Sequence, residues 1–387
     1  MATNKPLLIH SAELLEYSFG ADHPMGPDRV RLAMKLADYF GVLELFDVTE
    51  PGDNCEEYVK LVHSPDYIVA LESGQPHPEL GIGDHEHPVV PELPPIAARI
   101  VGATVTATQA VWNGSYNRAV NLAGGLHHAA EHAQRGFCMY NDAAAAIKWL
   151  LNNGAQRVAY IDLDAHHGDG VEEIFWNEPR VLTISVHESG LYLFPHTGFA
   201  HDIGGVEAAG TAVNIALPKT ADDLAWLQAI HGIVPPLLQR FRPEIIISQH
   251  GADPHINDPL ADLELSINAM TIAYRSVAKW AEKYAGGRWV AIGGGGYYRD
   301  SVARAWTQVL ATVAQAPLDL QAPLPTGWSE TARCTTGGFL GDQGAETALK
   351  DFRPERIMTN APCAPMVATS KSIFPYWGLV PYSDHSN

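Results

Sequence analysis

Short apolar runs recur along the chain at residues 7–9, 119–122, 158–161, 181–186, 244–248 and 289–292, each followed within a few residues by polar or glycine-rich sequence. Runs of this length without a polar face predict strands buried on both sides. Between them, apolar residues return at helical spacing over 28–39, 97–112, 143–151, 170–176, 222–240, 262–284 and 301–313. Strand and helix alternating in this way predict one α/β domain, a mainly parallel sheet covered by helices on both faces.

The helical period fades after about residue 316, where Pro, Gly, Thr and Ser become frequent. The division is therefore a domain over 1–316 and a largely irregular C-terminal extension over 317–387. Ile373, Phe374, Tyr376, Trp377 and Leu379 are too apolar for a free linker, so the extension is expected to pack on the domain. No internal repeat or low-complexity tract interrupts this picture.

Composition narrows the classes of function. The 44 acidic and 25 basic residues give a formal charge of −19, which disfavours direct contact with nucleic-acid phosphates or anionic lipid. The four cysteines, Cys55, Cys138, Cys334 and Cys363, are scattered and form no CxxC pair, so neither a disulfide framework nor a thiolate zinc site is indicated. Reduced thiols suit a cytoplasmic protein. The opening MATNKPLLIH lacks the pattern of a signal peptide, and no apolar run is long enough to predict a membrane span.

In an open parallel sheet, ligands bind beyond the carboxyl ends of the strands. Four polar clusters fall at such places: Gly124-Gly-Leu-His-His128, Asp162-Leu-Asp-Ala-His-His-Gly-Asp-Gly170, His250-Gly-Ala-Asp253 and Gly293-Gly-Gly-Gly-Tyr297. If the second is extended, Asp162, Asp164 and His166 share a face. Carboxylate and imidazole together suit zinc, with iron(II) as a substitute, and Asp253 would complete three protein ligands. Asp169 could instead cap the helix starting near Gly170. His127 and His128 could be ordinary buried or surface histidines; with Asp162 and Asp169 as partners they suit acid-base chemistry. Tyr297 is either a loop aromatic or a donor to a developing oxyanion.

Taken in order, Asn121-Leu-Ala-Gly-Gly-Leu-His-His128, Gly136-Phe-Cys-Met-Tyr-Asn-Asp142, Tyr160-Ile-Asp-Leu-Asp-Ala-His-His-Gly-Asp-Gly-Val-Glu-Glu173, Gly251-Ala-Asp253 and Gly293-Gly-Gly-Gly-Tyr297 resemble the signatures of the histone deacetylase family. The segment 17–34, with His23-Pro-Met and Arg29, resembles that family's N-terminal stretch, and the likeness runs over about residues 7–315. Its overall character resembles the bacterial acetoin-utilization deacetylases, which are similar to the eukaryotic class I enzymes.

The resemblance implies the arginase-deacetylase fold and hydrolysis of acyl-lysine amides by metal-activated water. It implies Asp164, His166 and Asp253 as zinc ligands, His127 paired with Asp162, His128 paired with Asp169, and Tyr297 polarising the scissile carbonyl. Phe137 and Phe194 would wall a narrow channel, Gly136 and Gly295 would contact the substrate, and Leu260 would line the mouth. It also implies a potassium ion at Asp162, Ser185 and the backbone of Asp164, His166 and Val186, and a second near Phe175 and Val181. The implied partners are acylated-lysine proteins such as acetyl-CoA synthetase. Two departures stand out: Glu86, within Asp84-His-Glu-His-Pro88, occupies the place of a rim aspartate, and Phe194-Pro-His-Thr-Gly198 carries His196 where the family has glycine. Glu86 would also suit an acetylpolyamine, and a third alternative is a non-catalytic acyl-lysine binding protein.

Overall fold

The computed structural model describes residues 5–359 and 362–383. Residues 1–4 of the opening segment, and 360–361 and 384–387 of the extension, lie outside the described residues. The strands are β1 (Leu7–Ile9), β2 (Asp47–Thr49), β3 (Arg118–Asn121), β4 (Val158–Asp162), β5 (Val181–Glu188), β6 (Ala212–Leu217), β7 (Ile245–Gln249) and β8 (Trp289–Ile292). They form one sheet in the order β2-β1-β3-β8-β7-β4-β5-β6, with every neighbouring pair parallel.

The helices of the main body are α1 (Asp28–Tyr39), α2 (Cys55–Val59), α3 (Pro65–Glu72), α4 (Leu93–Trp112), α5 (Asp142–Asn152), α6 (Asp169–Ile174), α7 (Asp223–Phe241), α8 (Ile267–Tyr284) and α9 (Arg299–Val313). The strands look uniformly apolar because both of their faces are covered. Ala159, Ile161 and Ile246 pack with α1, α7, α8 and α9, while Val158, Tyr160, Ile245 and Ile247 pack with α2, α4 and α5. Successive side chains on a strand point to opposite faces, so one apolar run feeds two cores. Asn141, Asp222 and Ser266 start α5, α7 and α8 by accepting the backbone N–H groups of Ala144, Ala225 and Ala269. Such caps contribute about 1 kcal/mol each.

Two strands and two helices escape the apolar pattern. β6 does so because Asn214 divides its apolar residues; the buried amide donates to Glu172 Oε2 at 2.7 Å and to the Asp202 carbonyl at 3.0 Å. β2, α2 and α3 are too short for a period to register. The pattern predicts a helix from residue 262, yet α8 begins only at Ile267: Glu264 and Leu265 form bridges with Asp222 and His255, and Ser266, in extended conformation, caps the helix.

The stretch after α9 is more regular than its composition suggests, with α10 (Trp328–Ala332), α11 (Ala345–Leu349) and α12 (Ala364–Ile373). α12 lies along β6, where Thr369 Oγ1 donates to the Asn214 carbonyl at 2.7 Å. Ile373 and Phe374 are buried, Trp377 and Leu379 are half-buried, and Tyr376 is exposed. Among the described residues, no helix is long and apolar enough to cross a membrane.

Candidate active site

β3, β8, β7 and β4 are adjacent at the centre of the sheet, so the segments that follow them meet over its carboxyl edge. Glycine permits this crowding. A Cβ on Gly125 would stand 2.5 Å from the Gly293 carbonyl oxygen, and one on Gly136 would enter the ring of His128. The Asp142 carboxylate then ties down the first cluster by accepting the N–H groups of Gly125 at 3.0 Å and Leu126 at 2.8 Å.

His127 and His128 lie side by side, buried, with their Nε2 atoms 3.0 Å apart. Each Nδ1 faces a carboxylate: His127 meets Asp162 Oδ2 at 2.7 Å and His128 meets Asp169 Oδ1 at 2.6 Å. A carboxylate can only accept, so both Nδ1 atoms carry hydrogen, and the two Nε2 atoms are the ones that face each other. The two rings differ in charge. Burial pushes His127 down, but the Asp162 and Asp164 carboxylates outweigh it and hold it up at about 9. Burial and the charge of His127 together push His128 down to about 4, against the pull of Asp169.

Asp162 does not join Asp164 and His166 on one face. β4 ends at Asp162, and its carboxylate also accepts the Tyr160 hydroxyl at 2.7 Å. Asp169 is no N-cap either: Gly168 holds that position, and the Asp169 side chain is occupied with His128. The third member of the group, the Asp253 carboxylate, comes from the loop after β7. His166 Nδ1 lies 3.1 Å from Asp164 Oδ1 and 3.0 Å from Asp253 Oδ2, and one ligand atom from each residue falls within 4.8 Å of the others.

This trio fits a divalent cation. Two buried carboxylates face the same point, and burial together with the charge of Asp164 lifts the Asp253 carboxyl to about 7, so the pair resists holding two negative charges unaided. A dication between them removes that penalty. The oxygens turned away from that point are already engaged: Asp164 Oδ2 accepts Gln249 Nε2 at 2.6 Å and the Gly295 N–H at 2.8 Å, and Asp253 Oδ1 accepts the Ala165 N–H at 2.9 Å. A Cβ on Gly295 would collide with the Asp253 carboxylate.

Above the trio stands a cavity of about 180 Å³ whose walls include Phe137, Phe194, Leu126 and Tyr297. The Phe194 ring meets His128 edge-on at 5.0 Å, and Phe137 meets Tyr297 edge-on at 5.9 Å. Arg29 reaches this wall from α1, donating to the Gly294 and Gly296 carbonyls and placing its guanidinium 5.3 Å from the Tyr297 ring centre. Asp258 Oδ2 accepts the Tyr297 N–H at 2.7 Å. Burial raises the Tyr297 phenol well above its usual range, so it stays protonated and able to donate.

Leu260 and Glu86 border the mouth of the same cavity. The Glu86 side chain is exposed and pairs with no cation among the described residues. Asp84 is spent within its own loop, accepting the N–H groups of Glu86 and His87 at 2.9 and 2.6 Å. His87 Nε2 in turn accepts the Phe137 N–H at 3.0 Å, which ties the rim to the channel wall. His196 is exposed, its Nδ1 3.0 Å from the Gly190 carbonyl. Of the residues assigned to potassium, Asp162 and Ser185 are neighbours in register, Val186 follows Ser185 on β5, and Val181 opens that strand. Phe175 follows the last residue of α6 as its C-cap, its carbonyl accepting the Glu178 N–H at 2.9 Å.

The chain's pattern did not single out Gln249 or Asp258 as part of the site. Its place as the last residue of an apolar strand, just before the His250-Gly-Ala-Asp253 cluster, was the signal that could have found Gln249; nothing local marked Asp258. The fold and site together define an α/β protein with a cation-competent trio beside a carboxylate-supported histidine pair. Residues 23–313 match the histone deacetylase domain. The acetoin utilization protein AcuC of Bacillus subtilis (strain 168) is 38% identical over 78% of this chain and 80% of its own length. That of Staphylococcus xylosus is 32% identical over 84% and 88%. A crystal structure of an HDAC homolog complexed with SAHA superposes with a TM-score of 0.76 at 31% identity, covering 85% of this chain and 88% of that one. The chain belongs to the histone deacetylase family and is a hydrolase of the AcuC-like kind.

Proposed function

We propose that the chain is a zinc-dependent protein lysine deacetylase. The observation that carries this reading is the convergence of the Asp164, His166 and Asp253 trio, the His127 and His128 pair and Tyr297 on one narrow cavity. An extended acyl-lysine side chain suits such a space; a bulky or branched substrate does not. An HDAC homolog of the same fold has been solved in complex with SAHA, which supports a small-molecule ligand for this family.

Asp164, His166 and Asp253 would hold the ion, zinc by the mix of nitrogen and oxygen donors, with iron(II) compatible with the same set. When bound, zinc supplies a Lewis acid that polarises the amide carbonyl and acidifies water. His128, uncharged at neutral pH, takes the proton of the attacking water at Nε2 and returns it to the leaving amine nitrogen. His127, protonated on both nitrogens, steadies the negative charge that gathers at the reaction centre. The Tyr297 hydroxyl donates to the carbonyl oxygen as that oxygen becomes an anion. Gly136, Phe137, Phe194 and Gly295 enclose the alkyl chain, with Leu260 and Glu86 at the mouth. The potassium sites named above belong to the same reading, as does a cytoplasmic setting with acylated proteins such as acetyl-CoA synthetase as substrates.

The test is turnover of an acetyl-lysine peptide by the purified chain, with metal content measured in parallel. Activity that a chelator removes and zinc restores is the expected result. Turnover indifferent to chelation, or none with zinc bound, overturns the reading. A second reading, an acetylpolyamine hydrolase, is favoured by the exposed Glu86 carboxylate at the mouth and the charge of −19, both of which attract ammonium groups.

A further inference from the structure

Tyr297 follows four glycines, and a phenol on so permissive a backbone needs something else to set its position. Its backbone is held from the opposite side by Asp258, whose carboxylate accepts the Tyr297 N–H at 2.7 Å and the Leu260 N–H at 3.0 Å. Asp258 is itself placed by His255. The Asp258 N–H donates to the His255 carbonyl at 2.8 Å, and the Asn257 N–H donates to His255 Nδ1 at 3.1 Å. An N–H can only donate, so Nδ1 is the bare nitrogen and Nε2 carries the hydrogen. Nε2 points at Asp342 Oδ2, 3.1 Å away, and His255 is only 1% exposed.

Asp342 lies in the segment between α10 and α11, more than forty residues beyond Tyr297 in sequence. It is anchored independently of the site. Arg304 Nη1 donates to Oδ1 at 2.7 Å, the Ile267 N–H donates to Oδ2 at 2.7 Å, and the Asp342 N–H donates to Asn268 Oδ1 at 2.8 Å. Arg304 is locked by Asp300 at 2.7 Å, and Asp300 also accepts the Trp328 indole N–H at 2.8 Å. Burial pushes the Asp342 carboxyl up, but His255 and Arg304 outweigh it and hold it below the usual carboxylate range, so it remains an acceptor.

We propose that Asp342 and His255 are positioning residues for Tyr297, so that the segment after α9 completes the active site by fixing the loop that carries Asp258. This rests on the reading of Tyr297 as an oxyanion donor. Neither residue lines the cavity, so they act through the loop alone. A misplacement on the order of 1 Å is enough to cost a catalytic donor much of its effect.

The test uses the full chain and an acetyl-lysine peptide. His255→Ala keeps the backbone bond to Asp258 but removes the side-chain link from the loop to Asp342 and the Asn257 bond, while leaving Asp342 its bonds to Arg304 and Ile267. We expect kcat to fall about tenfold with KM within about twofold and metal content unchanged, because the lost interaction matters in the transition state. His255→Gln, which keeps an N–H donor and an acceptor, should recover most of the loss. In a Tyr297→Phe background, adding His255→Ala should cost less than about twofold, since coupled residues are not additive. Full additivity, loss of metal, or an unchanged kcat in His255→Ala overturns the proposal. Should His255→Ala fail to fold, His255→Leu carries the same comparison. Crystal structures read the result without turnover: a Tyr297 hydroxyl displaced by about 1 Å or more supports the proposal, and an unmoved one overturns it. A wild-type chain with no activity would remove the function proposed above and leave this structural test standing.

Discussion

The floor and the rim of the cavity are built on different principles. On the floor, Asp162, Asp164, Asp253, His127 and His128 are all buried, and each is held by a neighbour at a strand end, in the loop just beyond one, or at the start of α6. At the rim, Phe194 is 37% exposed, Leu260 is 36% exposed, and the exposed Glu86 carboxylate pairs with no cation among the described residues. Charges on the floor cannot be removed singly without stranding a buried partner, whereas a rim side chain can change with little effect on the fold. The contrast teaches that the reaction type belongs to the floor and the choice of substrate to the rim.

The sharpest break in that comparison comes from Asp253→Ala. It should abolish metal retention and deacetylation together, because two ligands cannot hold the ion tightly. Metal analysis of the purified variant decides the matter, and stoichiometric zinc with full turnover would exclude Asp253 from the trio. Tyr297→Phe comes next, with kcat lower by about 100-fold or more, while folding and zinc content persist. An unchanged kcat would remove the phenol from the chemistry.

Asp169→Asn probes the electrostatics of the floor. A base works only when deprotonated, so kcat/KM should fall as the pH drops through the His128 pKa. Burial and the His127 charge push that value down, and Asp169 opposes them. Removing the Asp169 charge therefore lowers it further and should move the acid limb to lower pH, with a loss of about tenfold at neutral pH. A limb displaced to higher pH would contradict the assignment of His128 as base.

Glu86→Ala should have the smallest effect, and one that depends on substrate. If the carboxylate accepts backbone N–H groups of a peptide, kcat/KM falls by roughly tenfold or less for an acetyl-lysine peptide and hardly changes for a neutral, backbone-free acetamide. If acetylpolyamines are the natural substrates, acetylated spermidine or putrescine should suffer the larger loss. Equal constants on all three would leave Glu86 a solvated loop residue, and Asp84, already occupied within the loop, could not replace it without rearrangement.

The sheet was legible because β1, β3, β4, β5, β7 and β8 are covered on both faces and so appear as unbroken apolar runs. β6 was hidden by Asn214, whose buried amide is satisfied by Glu172, 42 residues away, and by the Asp202 carbonyl, 12 residues away. The polar clusters were legible for a related reason: a buried strand can end only where its sequence turns polar, and this chain places His127, Asp162, Asp253 and Tyr297 at or just beyond such ends.

The direction of each side chain past the strand end was another matter. Beyond Asp162 the backbone leaves the extended form, the alternation of faces lapses, and Asp162 turns to His127 while Asp164 and Asp253 both turn to His166. Residue types and their order were thus determined locally, by burial and by the chemistry each cluster can perform. Which carboxylate faces which imidazole, how Arg29 reaches Gly296 across 267 residues, and how Asp342 reaches His255 across 87 were decided only by packing. Contacts of that span leave no periodic trace in the chain, because the loops that close them are oriented by helices and strands elsewhere in the fold.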